Sequence, residues 1–310
     1  MAEFGGTNET GITIEQLINM TLIERARNDF KFDINKHVEE EDFVLKVNSG
    51  GQIWDLAGLG AIGVIAGPPK SRKTAITSAI TAAGLGGCEV LGFQLGIAGG
   101  HILNFDTEQR EGSFAKVNRS IHKWAKIGRG ANPENYEAFQ LRKLFPEQRL
   151  DLIRSLTLAT NPKLLVIDVI SDLMYDFNDN VGSQKIVEEI MKLAGTNTLT
   201  ILTIHLGKGG LILGHLGSAL SRKLDFLLQI EQSSEDWTES VVECKLTRDV
   251  PMFPKFNIKQ ESKPPRIYRP DLEINKGFGE IMEAAGQIIP ISGMDLRVGV
   301  KGNVDDNIPF

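Results

Sequence analysis

Residues 67–74 have the residue types and the spacing of a loop that binds phosphate. They follow an apolar run, precede a helix-like stretch that opens at Ala75, and read Gly67-Pro68-Pro69-Lys70-Ser71-Arg72-Lys73-Thr74. Between a strand and a helix, the backbone N–H groups of such a loop and the helix N-terminus favour an anionic phosphate. Lys73 would reach the β- and γ-phosphates of a nucleotide, and the hydroxyl of Thr74 would hold Mg²⁺. The pattern predicts that residues 67–75 bind a nucleotide.

Arg72 is the one departure from this pattern, because the residue before the lysine is expected to be glycine. Two interpretations follow. In the first, the match is a coincidence or the loop has lost its activity. In the second, the loop is a variant in which the Arg72 side chain points away from the phosphates.

Composition sets broad limits on the class of protein. The chain has 310 residues, of which 41% are hydrophobic, so it forms one large α/β domain or two small ones. Its net charge of −6 argues weakly against nucleic acid as a partner, since a local basic groove remains compatible with it. The two cysteines are far apart and predict reduced thiols in a cytoplasmic protein. We expect neither a signal peptide nor a membrane span.

From about residue 61, apolar runs alternate with helical patterns. Continuous apolar strands predict a parallel sheet covered by helices on both faces, with ligands bound at the carboxyl ends of the strands. After residue 224, shorter runs predict antiparallel hairpins. The predicted strands are 62–67, 101–106, 136–141, 163–168, 199–205, 226–231, 241–248 and 256–260, and the predicted helices are 12–27, 73–83, 113–124, 146–160, 187–193 and 279–288. Residues 28–57 are expected to be irregular apart from a short strand at 44–47.

Two acidic positions follow predicted strands. Asp168 ends a buried run and would either cap a helix or hold the water shell of Mg²⁺ beside Thr74. Glu108 follows the second strand and would accept a proton from the water that attacks the γ-phosphate. Asp106 competes with Glu108 for this role or supports it.

Four further basic positions are candidates. His205 closes the strand beside that of Asp168 and would either sense the γ-phosphate or be structural. The glycine-rich segment 206–218 is expected to be a mobile loop, in which Lys208 and His215 would contact nucleic acid or a neighbouring subunit. Arg248 would act on a neighbour's γ-phosphate or be a surface charge.

Taken together, these residues resemble the RecA-like ATPases, and in particular the RepA-type hexameric helicases and related AAA ATPases of plasmids, mobile elements and phages. The resemblance spans about residues 45–262 and rests on the 67–74 loop and on 105–108, 165–168, 203–205, 214–218 and 245–248. It implies a RecA-like P-loop fold in which a mainly parallel central sheet is flanked by helices and followed by antiparallel hairpin strands. Within this branch, a basic residue in place of the last loop glycine makes Arg72 a subfamily trait.

The resemblance also implies an activity. We expect hydrolysis of ATP with Mg²⁺ by a homo-oligomer, of which a hexameric ring is one form, acting on single-stranded DNA as a helicase or in mobilisation. Lys73, Glu108, Asp168, His205 and Arg248 would be catalytic. A KaiC-like or recombinase-mediator-like switch and an assembly module with negligible turnover are the alternatives. The expected domains are an N-terminal arm (1–44), the ATPase core (45–265) and a C-terminal extension (266–310).

Overall fold

The computed structural model describes residues 14–29, 31, 33, 42–128, 130–176, 178–207, 214–263 and 265–273. The chain divides into two units, Met1–Glu41 and Asp42–Phe310. The first contains helix α1 (Ile14–Asp29), which confirms the helix predicted at 12–27, and its residues 20–28 are exposed. Lys208 and the predicted helix at 279–288 lie outside the described residues. The domain boundaries at 44/45 and 265/266 stay predictions.

The second unit opens with a hairpin that was only half predicted. Strands β1 (Phe43–Ser49) and β2 (Gln52–Gly58) pair antiparallel around Gly50 and Gly51. Both glycines have positive φ, of 63° and 78°, as a tight two-residue turn requires. The expectation that the region around β2 is irregular was wrong. Only the second half of β2 is buried, so its sequence lacks the alternation that marks a half-buried strand.

The remaining elements follow the predicted alternation of strands and helices. In chain order they are β3 (Ile62–Gly67), α2 (Lys73–Gly86), β4 (Phe93–Leu95), β5 (Ile102–Asp106), α3 (Glu111–Trp124), β6 (Tyr136–Gln140), α4 (Pro146–Thr160), β7 (Leu164–Asp168), α5 (Asn180–Ala194), β8 (Leu199–His205), α6 (Gly214–Ser221), β9 (Phe226–Gln232), β10 (Glu239–Thr247), β11 (Phe256–Ser262) and β12 (Pro265–Tyr268). A short 3-10 helix, Ile170–Leu173, follows β7.

A nine-stranded sheet organises these elements in the order β12-β11-β10-β9-β3-β8-β7-β5-β6. The six strands from β9 to β6 run parallel, and β10, β11 and β12 continue the sheet in antiparallel pairs. Strand β4 instead joins β1 in a separate small sheet. This arrangement confirms the predicted RecA-like α/β fold. It also inserts β8 between β3 and β7, so the loop after β3 and the residues that end β8 are neighbours.

Both faces of the parallel sheet are covered by apolar side chains. Because side chains alternate along a strand, Ile65 of β3 packs into one core with α2 and α3, whereas Val64 packs into the other with α4, α5 and α6. Both residues are fully buried. Two-sided burial explains why the parallel strands are continuous apolar runs.

Helix α6 corrects the expectation of a mobile loop over 206–218, since residues 214–218 are helical. Its buried residues Leu216, Ala219 and Leu220 belong to the second core, whereas His215 is exposed. Apolar packing therefore outweighs the low helix propensity of the two glycines in this segment. Within the described residues, no helix combines the length and the apolar character needed to cross a membrane.

Arg269 directly follows β12 and is only 2% exposed. Its guanidinium lies 3.8 Å above the Phe256 ring, donates to the Asn48 carbonyl, and pairs with Asp271. We expect Arg269→Ala to lower the free energy of unfolding by about 3 kcal/mol, because it removes charge-assisted hydrogen bonds and a desolvated cation–π contact. Urea unfolding measures the change. Arg266→Ala, which breaks half-exposed contacts with Glu261, Glu273 and the Tyr268 ring, is the control and should cost less than Arg269→Ala.

Candidate functional site

The loop between β3 and α2 has two left-handed residues and begins at a position that only glycine can occupy. Lys70 and Arg72 adopt left-handed conformations with φ of 67° and 75°. A Cβ on Gly67 would lie 2.4 Å from both the Ile230 carbonyl oxygen and Ser71 Oγ. Only glycine fits at the point where the strand turns into the loop.

The Arg72 side chain leaves the loop and reaches the antiparallel part of the sheet. Nη1 donates to Ser240 Oγ at 2.6 Å and to the Glu239 carbonyl at 3.2 Å. Nη2 donates to the Trp237 carbonyl at 2.6 Å, and Nε to Gln260 Oε1 at 3.1 Å. The guanidinium is thereby held by β10, β11 and the turn before β10, as the variant-loop interpretation requires.

Lys73 is buried at the start of α2 and bonds back to the loop. Its Nζ donates to the carbonyls of Gly67 (2.8 Å) and Pro68 (3.0 Å) and lies 3.1 Å from His205 Nδ1. Burial lowers the pKa of Lys73, an effect that Asp168 and Glu108 oppose. A charged lysine makes Nδ1 the acceptor, so the imidazole proton lies on Nε2, which is 3.4 Å from Glu108 Oε2. One chain of contacts therefore joins Lys73, His205 and Glu108.

Thr74 and Asp168 meet at the carboxyl edge of the sheet. Thr74 Oγ1 donates to Asp168 Oδ2 at 2.8 Å, and the Thr203 hydroxyl donates to Asp168 Oδ1. Burial raises the pKa of Asp168, while the hydrogen bonds from Thr203 and Thr74 lower it. Two hydroxyls and the loop ammonium are the compensation that a carboxylate at the end of a buried strand needs.

Asp106, the competing candidate for the base, has a different task in the structure. It ends β5 directly opposite Asp168 on β7. Its Oδ1 accepts the backbone N–H groups of Glu108 (3.0 Å) and Gln109 (2.7 Å). Asp106 therefore holds the turn that presents Glu108, whose side chain is 60% exposed. Burial raises the pKa of Asp106 to about 6.

This shift predicts a pH-dependent gain in stability for Asp106→Asn in the absence of nucleotide. The folded carboxyl holds its proton more tightly than the unfolded one, so the wild type loses stability as the pH rises from about 4 to about 6. The amide keeps an acceptor oxygen without the charge. We expect the variant to unfold with a free energy about 2 kcal/mol larger at pH 7.5 and no larger at pH 4.

Thermal unfolding across this range is the measurement for Asp106→Asn. Asp151→Asn, at an exposed position on α4, is the control and should show no such trend. A gain that does not change with pH would contradict the ionisation of Asp106 as its cause.

Two threonines at the site were not predicted. Thr203, within β8, binds Asp168. The Thr107 hydroxyl accepts the Val169 N–H at 2.9 Å and donates to either Asp172 Oδ2 or the Val169 carbonyl, each at 3.1 Å, which joins the ends of β5 and β7. The available signal was a hydroxyl within or directly after an otherwise apolar strand, since a buried hydroxyl needs a partner.

Arg248 is the predicted site residue that the structure keeps apart from the others. It pairs with Asp225 (3.4 Å) and donates to the Leu224 carbonyl (3.2 Å). Asp225 in turn accepts the N–H of Ile62, the first residue of β3, at 2.7 Å. Arg248 therefore lies at the amino edge of β3, about 17 Å along the strand from the loop at its carboxyl end.

The residues around the loop fit a phosphate and a hard cation. Ser71 Oγ is buried in the loop without a hydrogen-bond partner among the described residues. The Thr74 hydroxyl and the Asp168 carboxylate supply oxygen ligands of the kind that Mg²⁺ prefers. The described part of the chain has no cluster of three His, Cys, Asp or Glu residues that would hold a metal by itself. The donor set therefore suits a cation that takes its other ligands from water and phosphate.

A cavity of about 440 Å³ opens beside the loop, within the range of small-ligand sites. Thr74, Ala75 and Ser78 of α2 form one wall. Lys116 and Trp124 of α3 are on a second wall, which faces β11 and β12. The cavity therefore begins at Thr74 and Ala75, the first residues after Lys73.

Comparison with known proteins finds a matching family and many solved structures of similar fold. Residues 52–210, slightly more than half of the chain, match a family described as an AAA domain. A KaiC-like protein from Pyrococcus horikoshii OT3 is 16% identical, with a TM-score of 0.46 over 68% of this chain and 90% of that chain. The RadB recombinase is 18% identical, with a TM-score of 0.47 over 68% and 91%. No curated protein matches the sequence.

Proposed function

The chain belongs to the AAA domain family, and from this premise we propose that it is a RecA-like P-loop ATPase that hydrolyses ATP with Mg²⁺ as an oligomer that acts on DNA. One observation carries the proposal: Lys73, His205 and Glu108 form a contact chain beside the Thr74–Asp168 pair, next to the loop. The proposed setting is a helicase or a mobilisation ATPase of the RepA type.

Each side chain has a role in this hydrolysis. Water attacks the γ-phosphorus, the bond to the β-phosphate oxygen breaks, and Glu108 accepts the proton of the water. Lys73 exchanges its carbonyl partners for phosphate oxygens and stabilises their growing charge. His205 links the two through its ring nitrogens, so it senses whether the γ-phosphate is present. Thr74 and Asp168 would hold Mg²⁺, which would supply positive charge to neutralise the phosphates.

The cavity beside Ala75 is the proposed nucleoside site. It adjoins the loop through Thr74, and the indole of Trp124 and the apolar side chain of Ile267 line it. The flat indole of Trp124 suits contact with a planar base. The volume of about 440 Å³ leaves room for a base and a ribose.

A basic strip on α3 supports DNA as the partner. Lys116, Arg119 and Lys123 recur at helical spacing on α3, Lys126 follows two residues after the helix ends, and all four are exposed. None of their side chains pairs with an acid among the residues that the structure describes. On a chain with a net charge of −6, four unpaired cations in one strip suit the phosphates of a nucleic acid.

A nucleotide switch of the KaiC or recombinase-mediator kind, with slow turnover, is the second candidate. The exposure of the Glu108 side chain favours this second candidate. An active site whose base is open to solvent is not shielded from bulk water. An assembly module that binds ATP without turnover is its extreme form. Both differ from the proposed DNA-acting ATPase in how DNA changes the rate of phosphate release.

The test is phosphate release from MgATP by the wild type, with and without single-stranded DNA, using Lys73→Ala as the inactive control. We expect turnover that DNA stimulates and a smaller response in Arg119→Glu/Lys126→Glu, which spares the two lysines at the cavity. A rate of phosphate release that DNA does not change would favour the nucleotide switch. Tight binding of ATP without any release would refute hydrolysis and leave the assembly module.

A further inference from the structure

We propose that Arg72 is a positioning residue that holds the phosphate-binding loop in its binding conformation by fastening it to the antiparallel strands. We call its contacts with the carbonyls of Trp237 and Glu239, Ser240 Oγ and Gln260 Oε1 the Arg72 latch. The inference rests on the proposed function, because it takes the loop to be the site of the nucleotide phosphates.

The backbone conformation at Arg72 needs stabilising contacts such as those of the latch. Its φ of 75° and ψ of 29° are left-handed, a conformation that L side chains adopt rarely and glycine adopts freely. The residue is also the N-cap of α2, and its side chain makes no capping hydrogen bond to that helix. The N–H groups of Lys73 and Thr74 are therefore left for an anion, whereas that of Ala75 donates to the Arg72 carbonyl at 3.0 Å, and the Arg72 side chain is free to bind elsewhere.

The geometry of the latch suits an arginine in particular. All three guanidinium nitrogens donate, to four acceptors on three segments of chain. All four acceptors are neutral oxygens, three of them lie within residues 237–240 around the start of β10, and Ser240 is fully buried. A planar fork with fixed donor directions meets such a set with little further loss of freedom. A guanidinium occupied in this way is not available to the phosphates.

The latch makes the turn between β9 and β10 part of the phosphate site. Lys259 pairs with both Asp236 and Glu239 at 3.1 Å, which holds the turn against the start of β10. On the other side of the loop, Gly67 packs against the Ile230 carbonyl of β9. Both ends of the phosphate-binding loop are thus set by the strands that follow residue 225, far away in sequence.

Arg72→Gly separates the effect of the backbone conformation from the effect of the latch. Glycine keeps the left-handed backbone and removes the latch, whereas Arg72→Lys keeps a charge with part of the hydrogen bonding. We expect Arg72→Gly to bind MgADP at least tenfold more weakly and to raise KM for ATP more than it lowers kcat, because binding is lost rather than chemistry. Arg72→Lys should recover part of the affinity. Arg154→Ala, which breaks the ion pairs of an arginine on α4, is the control and should leave affinity unchanged.

Hydrogen exchange supplies a readout that does not depend on turnover. In the wild type, MgADP should slow amide exchange in residues 70–75 and also in 233–240. In Arg72→Gly, both segments should exchange faster before nucleotide is added, and 233–240 should no longer respond to it. Ser240→Ala should weaken MgADP binding in the wild type but have no effect in the Arg72→Gly background, since the two residues act through one contact.

The outcomes separate the latch from the proposed function. If Arg72→Gly binds MgADP as the wild type does, with an unchanged response at 233–240, the latch is refuted. If MgADP protects neither segment of the wild type, the proposed function fails instead. The latch is then decided by the nucleotide-free exchange alone: faster exchange of both segments in Arg72→Gly supports it, and unchanged exchange refutes it.

Discussion

Glu108→Gln is expected to bind MgATP as tightly as the wild type and to release phosphate about 10²–10⁴-fold more slowly. The amide has the shape of the carboxylate and lacks the basic oxygen that takes the proton from water. Asp106 cannot replace it readily, because the Asp106 Oδ1 already accepts two backbone N–H groups and the carboxyl is buried. Single-turnover phosphate release and a separate titration of nucleotide binding give the two quantities.

A neighbouring carboxylate provides the control for this prediction. Glu111 is an exposed glutamate in the first turn of α3, so Glu111→Gln removes the same charge close by and should leave the rate unchanged. If Glu108→Gln hydrolyses ATP at the wild-type rate, Glu108 is not the base. If both variants slow equally, the effect is one of general charge.

Arg248→Ala is expected to reduce phosphate release about 10³–10⁵-fold if its guanidinium serves the site of a neighbouring subunit. The Arg248 guanidinium lies at the edge of the sheet opposite its own loop, so it has no route to its own nucleotide. A mixture of Arg248→Ala and Lys73→Ala subunits should regain activity, because some sites then combine an intact Lys73 with an intact Arg248. Phosphate release across a series of mixing ratios is the measurement.

Two further variants separate this role from a structural one. Arg248→Lys keeps the charge opposite Asp225 and should fold normally while remaining slow, since lysine lacks the two-pronged geometry of the guanidinium. Lys245→Ala, three residues earlier on β10, removes an exposed pair with Glu243 and serves as the control. Full activity of Arg248→Ala, or no recovery on mixing, would assign Arg248 to the stability of its own subunit.

The parallel core could be read directly from the sequence. Each parallel strand that is buried on both faces must be a continuous apolar run, so β3, β5, β7 and β8 were visible to within one residue of their ends. Polar side chains at the ends of these runs must then converge at one edge of the sheet. Lys73, Glu108, Asp168 and His205 were predicted on this ground, and the structure brings them together.

Strand order could not be read in this way. Local patterns say that a strand exists but not which strand it pairs with, because pairing is decided by how the helices cover the sheet. The insertion of β8 between β3 and β7 is what brings His205 to Lys73 and Thr203 to Asp168. Helix α6 and strand β2 were missed for a related reason, since packing against distant segments outweighs their weak local signals.

The sequence by itself thus determined the class of fold, the loop and the acids and bases at one edge of the sheet, since each depends on residue type and local periodicity. The tertiary structure decided the direction of Arg72 and the edge on which Arg248 lies. Both depend on the antiparallel strands that follow residue 225: β10 and β11 supply acceptors more than 160 residues away from Arg72, and the reversal of β10 carries Arg248 to the far edge. Contacts over such separations are set by packing of the whole chain, which no local pattern encodes.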